Sequence, residues 1–309
     1  MRYLHLRFFI MLVLLCNVVT AAEITTNDVH AEIQRAYEEI KILKRHFQIT
    51  QEIVPQPKIT ILLTPRHTWQ TAYEVMRKLS LLREKVGLAV LSAPARQPLL
   101  KVTSNYSYGQ VIRLITELDI LKRYLNISEK LESHPPQTTG KTPTDNVNLL
   151  RAMSAEMDLL IGTKLTPSHV FSEALRLLDD INTLVDAVGI YDTTIPPAQM
   201  PQARPQDVYA ETLEILQEIN RLQMMLGTNS IDISGFKELY TTITPSEAYN
   251  LLGFAVAEIQ PLKASLGLRH ALTPAARYYE NMTPSNTLQL LGWGVRKLRL
   301  IRNLHRSEQ

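Results

Sequence analysis

Apolar residues recur along this chain with a 4-3-4-3-4 spacing, and the same stripe returns seven times. One copy reads Val170, Ala174, Leu177, Ile181, Leu184, Val188, and the next reads Val208, Thr212, Ile215, Ile219, Leu222, Leu226. Earlier copies run Val29, Ile33, Ala36, Ile40, Leu43, Phe47, then Thr68, Ala72, Val75, Leu79, Leu82, Val86, then Ser107, Val111, Leu114, Leu118, Leu121, Leu125. Later ones run Ala248, Leu252, Ala255, Ile259, Leu262, Leu266 and Thr287, Leu291, Gly294, Leu298, Ile301, His305. Of these 42 positions 36 are apolar, so the pattern predicts long amphipathic helices with a coiled-coil-like seam. A single such helix would leave its stripe in water, so the copies must pack on one another.

Each stripe is preceded by a start signal. Thr-Pro stands at Thr64-Pro65, Thr142-Pro143, Thr166-Pro167, Thr244-Pro245 and Thr283-Pro284, with Arg204-Pro205 in the same place. Thr25-Thr26 and Thr103-Ser104 are degenerate copies, and Thr273-Pro274 falls off register in a linker. The steps between successive marks are 39, 39, 39, 24, 38, 40 and 39 residues. Threonine fits the N-cap and proline the first helical position, where a missing N–H costs nothing. An acid at the third helical position (Asp28, Asp145, Asp207, Glu247) completes a capping box, and His67, His169 and Asn286 replace it elsewhere. Gly87, Asn126, Gly189, Gly227 and Gly267 mark the stops.

The fold class expected is all-α: a helical repeat array of about 39-residue period, with seven to eight capped amphipathic helices and Pro-rich return segments. A helix of about 22 residues is roughly 33 Å long. A linker of about 16 residues can span roughly 50 Å, enough to travel back alongside it. Parallel neighbours are therefore permitted. Pro55, Pro57, Pro94, Pro98, Pro135, Pro136, Pro196, Pro197 and Pro201 favour extended linkers. Short helical turns at 236–240 and 275–279 would instead suggest a helical hairpin repeat. The 24-residue step leaves little room before Thr166 and favours an antiparallel hairpin of the flanking helices. The organisation expected is residues 1–22 as a leader, 23–162 as repeats one to four and 163–309 as repeats five to eight. Pro261 inside the seventh helix predicts a kink. The period and Thr-Pro starts match neither tetratricopeptide nor HEAT-like repeats.

Composition adds a compartment. Arg2 and Arg7, an apolar run over 8–15 and small residues at Thr20, Ala21 and Ala22 lay out a cleavable signal peptide. Cys16, the one cysteine of the 309 residues, would leave with it. A thiol-free exported chain excludes disulfides and cysteine chemistry. It suits a bacterial periplasm or exterior. The remaining 31 basic and 30 acidic residues give no whole-chain argument for nucleic acid.

No nucleotide, zinc-protease or nucleophile-elbow motif is present, and no histidine pairs with another at metal-ligand spacing. No catalytic residue, metal or cofactor is expected. Glu38-Glu39 and Asp179-Asp180 read as exposed helix faces. Two surfaces stand out. An aromatic follows the first seam position at Trp69, Tyr108, Phe171, Tyr209 and Tyr249, as second packing residues or as a row lining a groove. The last helix gathers Arg296, Lys297, Arg299, Arg302 and Arg306, either as a solvated cap of the array or for an anionic membrane surface or acidic partner. These features suggest a non-enzymatic envelope scaffold presenting a surface to a protein or peptide. The alternative is a helical domain that binds a small ligand or envelope polymer through the aromatic row.

Overall fold

A computed structural model describes residues 23–91, 101–131, 138–162 and 164–307, with the backbone alone for 304–307. The leader with Cys16, and Pro94, Pro98, His134, Pro135 and Pro136, lie outside the described residues, as do the side chains of His305 and Arg306. Among the described residues the chain is all-α. Eight long helices are α1 (Thr26–His46), α2 (Pro65–Lys85), α3 (Ser104–Tyr124), α4 (Pro143–Ile161), α5 (Pro167–Ala187), α6 (Pro205–Met225), α8 (Pro245–Ser265) and α9 (Pro284–Ser307). A single turn, α7 (Ser234–Lys237), lies between α6 and α8.

The starts follow from the caps. The N–H of Thr25 donates to Asp28 at 2.8 Å, that of Thr142 to Asp145 at 2.8 Å, and that of Arg204 to Asp207 at 2.7 Å. His67 and His169 do the same work with a ring nitrogen, accepting from Thr64 N–H at 3.1 Å and Thr166 N–H at 3.2 Å. Asn286 accepts from Thr283 N–H at 2.9 Å. At the far ends Gly87, Asn126, Gly189, Gly227 and Gly267 turn left-handed, and Gln48 does so in the first copy without any sequence signal.

The helices close into two rings of four. In the first, α1 packs on α3, α3 on α2, α2 on α4 and α4 on α1. All four run in the same direction, because their N-terminal ends are bonded around that ring. Thr26 Oγ1 meets Ser104 Oγ at 3.5 Å, and Ser107 Oγ donates to the Pro65 carbonyl at 2.7 Å. Thr68 Oγ1 donates to the Pro143 carbonyl at 3.4 Å, and Asn146 Nδ2 donates to the Thr26 carbonyl at 3.3 Å. Asn146 also meets His30 Nδ1 at 2.8 Å, and burial lowers the pKa of that imidazole. At the opposite end Lys85 Nζ on α2 donates to the Leu160 and Ile161 carbonyls of α4 at 3.0 and 2.8 Å.

The second ring repeats this order with α5, α8, α6 and α9. Pro167, Pro205, Pro245 and Pro284 meet at its N-terminal end. With equal register from each start, equivalent seam positions meet in layers. Leu177, Ile215, Ala255 and Gly294 make one, and Ile181, Ile219, Ile259 and Leu298 the next. Gly294 lets α9 come close, since a methyl there would lie 3.0 Å from Ile181 Cδ1 and 3.1 Å from Ile215 Cδ1.

Parallel neighbours require return segments, and the linkers supply them. Residues 57–63 descend α4: the Pro57 carbonyl accepts from Arg151 at 2.7 Å, Ile59 exchanges two bonds with Asn148 at 2.9 Å, and Leu63 N–H donates to Thr144 at 3.0 Å. Residues 194–203 descend α9 in the same way, through Trp293 to Thr194, Gln289 to the Pro197 carbonyl and Ala203 N–H to Ser285. The hairpin-repeat alternative therefore does not hold. A turn of helix forms at 234–237, whereas 275–279 forms no helix.

The two rings lie antiparallel, joined mainly through α2 and α8. His67 at the start of α2 meets Glu258 late in α8 at 3.0 Å, and Glu74 in mid-helix faces Gly253. The short joint after Gly162 thus reverses the chain, but α4 and α5 do not pack along each other as a hairpin. α8 continues through Pro261 to Ser265.

The paired acids need correction. Glu38 and Asp179 are partly buried, but Glu39 is buried on Lys122 and Asp180 is fully buried on Lys263 at 2.5 Å. One member of each pair points into the packing because adjacent helical positions lie about 100° apart. Asp180 also accepts from Thr273 Oγ1 at 2.5 Å, so the off-register threonine anchors its linker to α5.

Candidate binding site at the open end of the second bundle

Parallel packing brings four C-termini together, and in the second ring the seam opens there. Its fifth layer, Leu184, Leu222, Leu262 and Ile301, is buried. The sixth seam residues, Val188, Leu226 and Leu266, are the C-caps of α5, α6 and α8, where the chain turns outward. The seam residues therefore diverge, leaving a cavity of about 610 Å³. Val188, Leu226 and Leu266 form its walls with Met225 and Leu300, and Gly189, Ile190 and Tyr191 complete the lining. Among the described residues no lining side chain is charged.

The C-caps dispose of the polar backbone around this mouth. Gly189 N–H donates to the Asp186 carbonyl at 3.1 Å, Gly227 to Met224 at 3.2 Å and Gly267 to Ala264 at 3.1 Å. Thr228 and Leu268 N–H groups reach back to Gln223 and Lys263 at 2.8 and 2.9 Å. Carbonyls that would otherwise need water are thus satisfied beside an apolar space. The cavity can accept apolar bulk and leave polar groups outside. Apolar side chains continue beyond the rim: Tyr191 is 87% exposed, Ile195 71% and Met224 64%.

The five aromatics do not share one groove. Trp69 and Tyr108 lie near the start of the first bundle's helices, and Phe171, Tyr209 and Tyr249 near the start of the second's, which points the other way. Trp69 is half-buried and stacks on Tyr73 at 5.7 Å. Tyr108 packs against the first core, and Phe171 meets Tyr279 edge-on at 5.9 Å. Tyr209 is buried, its hydroxyl donating to the Phe236 carbonyl at 2.9 Å, and Tyr249 is buried.

The basic residues of α9 are largely engaged within the molecule. Arg296 donates to the Ile195 carbonyl at 2.9 Å, and Lys297 is buried against Asp192. Arg299 and Arg302 both reach Glu218, at 2.9 and 2.5 Å, and Arg299 also reaches Glu214 at 3.1 Å. Glu218 itself is fully buried. Five cations within eleven residues could signal such internal acids as well as a surface, and the spacing alone does not separate the two.

One set of side chains has the connectivity of an acid–base relay. Thr64 Oγ1 lies 3.0 Å from His67 Nδ1, and His67 Nε2 lies 3.0 Å from Glu258. Burial would raise the Glu258 carboxyl, but the His67 and Gln223 side chains and the Arg66 charge hold it below the usual carboxylate range. Thr64 also donates its N–H to the same Nδ1, and Thr166 with His169 repeats that pair in the second bundle. The arrangement serves as the repeat's cap. Among the described residues no group of three His, Cys, Asp or Glu side chains is placed to hold a metal ion. Among them, too, no helix is long and apolar enough to cross a membrane. Comparison with known protein families, with curated proteins and with solved structures gives no match.

Proposed function

We propose that this chain is an exported, non-enzymatic binding protein of the bacterial envelope, and that its ligand is a small apolar molecule or moiety received by the open end of the second bundle. The observation that carries this reading is the 610 Å³ cavity, walled by aliphatic side chains and, among the described residues, lacking a charged lining residue. Burying a methylene there is worth about 0.8 kcal/mol, so micromolar binding, about 8 kcal/mol, asks for an apolar group of roughly ten or more carbons. Export rests on the N-terminal segment, and the bacterial setting on the absence of cysteine beyond Cys16.

The test is titration with an apolar dye that fluoresces on transfer out of water. The expected result is saturable one-to-one binding that Leu266→Trp, filling the cavity, weakens by about tenfold or more. Equal binding by a folded Leu266→Trp protein would remove the cavity from consideration. A second reading, a protein or peptide partner, is favoured by the exposed apolar side chains Tyr191, Ile195 and Met200 beside α9. A partner retained from envelope extract by the wild type but lost on Ile195→Asp and Met200→Asp, with dye binding intact, would select it.

A further inference from the structure

We propose that the contact between the two bundles is a proton-operated latch, closed while the Glu74 carboxyl carries its proton and loosened when it gives it up. Glu74 projects from the middle of α2 into the seam with α8 and is buried. It lies so close to the α8 backbone that a methyl group at Gly253 would overlap its carboxyl oxygen, and the Gln70 amide sits beside it. The glycine therefore makes room for this acid, and the acid fills the room.

The groups facing Glu74 leave an ionised carboxylate poorly served. Lys78, on its own helix, is 2.7 Å from Asp158 and donates to the Ser154 carbonyl at 3.1 Å. Arg151 of α4 donates to the Pro57 carbonyl and to Asn148, and is bonded to Tyr240. Arg176 of α5 is held by both oxygens of Glu173 at 2.9 Å and by the Pro274 carbonyl at 2.8 Å. Glu173 adds a second buried carboxylate, and Tyr240 and Tyr249 present hydroxyls that burial keeps neutral. Each nearby cation is already engaged. Burial, and next the Glu173 charge, push the Glu74 carboxyl well above the usual carboxylate range.

The sign follows from linkage. The closed form binds the proton more tightly than a form in which water reaches Glu74. Closure is therefore fully favoured at low pH and lost as pH rises through the closed-state value. The seam of each ring is closed by its own four helices, so parting α2 from α8 leaves both rings closed, although Ile59, Ile61, Leu63 and Val147 of the first half share the second half's apolar core. Separation is opposed by Ile59, Ile61, Leu63 and Val147, which pack in the second half's core with Phe236, and by His67, which meets Phe254 and Glu258 of α8.

Infrared spectroscopy and small-angle scattering of the full chain across a pH series test the latch. A band from a protonated carboxyl is expected to persist above the pH at which ordinary carboxyls ionise, absent from Glu74→Gln. Its loss on raising pH should coincide with an increase in radius, with the closed-to-open ratio falling about tenfold per pH unit above the midpoint. Glu74→Gln should stay compact throughout. Should that variant not fold, Gly253→Ala, which crowds the carboxyl, should shift the expansion to lower pH. The latch is overturned if Glu74→Gln expands at the wild-type pH, if the wild type lacks the Glu74 band, or if it stays compact after Glu74 deprotonates.

Discussion

Leu177 and Ile219 each sit in a four-membered layer with no exposed surface. Truncation leaves a void that three facing helices cannot easily fill, because their backbones are pinned by caps at one end and linkers along their length. Leu177→Ala and Ile219→Ala should each lower unfolding free energy by about 2–5 kcal/mol in denaturant titrations. A loss under about 1 kcal/mol would contradict their place in the core. These positions were legible because the heptad-like spacing is strict. Glu39, Asp180 and Glu74 were not, since an acid beside a seam looks the same in sequence whether it meets water or a buried partner. Gly253 carried no signal either: its role is a distance to another bundle.

At the level of single helices, the start signals proved local and therefore readable. Thr142 illustrates their weight. Its side chain caps Asp145 N–H at 3.2 Å and donates to the Asp145 carboxylate at 2.7 Å. Thr142→Ala should cost about 1 kcal/mol in thermal melts. The bonds from Thr142 hydroxyl and N–H hold the Asp145 carboxyl below its ordinary value. This contribution is complete above the unfolded carboxylate pKa and fades as pH falls through the lowered folded one. The Asp145 resonance, followed by NMR, should titrate below a solvent-exposed aspartate, and Thr142→Ala should move it up. Helix direction was only permitted by linker length. The bonds from Arg151, Asn148 and Gln289 that fasten linkers onto helices decide it, and those partners lie about 90 residues away.

For the whole molecule, the repeat predicted that helices pack on helices, but a repeat alone does not say whether copies stack openly or close. Closure appears only when each fourth helix meets the first, as Asn146 does with His30. The cavity was likewise invisible, because it arises from three C-caps, Val188, Leu226 and Leu266, diverging at one level beside α9. Long-range charge pairing belongs to this scale as well. Glu218 on α6 is buried beneath Arg299 and Arg302 of α9, and Arg221 lies 2.6 Å from it. Glu218→Ala should destabilise the second bundle by about 1–3 kcal/mol in chemical denaturation, since Arg302 is left partly buried without its acid. Unchanged stability would mean that Arg302 simply swings into water.

The closed rings of four also set how such a protein can change in length over evolution. An open solenoid can gain or lose one unit at its end and remain soluble. Here an extra thirty-nine-residue copy would find no vacant side of a ring, and a deleted copy would expose the seams of the other three. The viable increment is a full set of four. The matching packing order and return paths of the two halves are what duplication of one whole ring would leave behind.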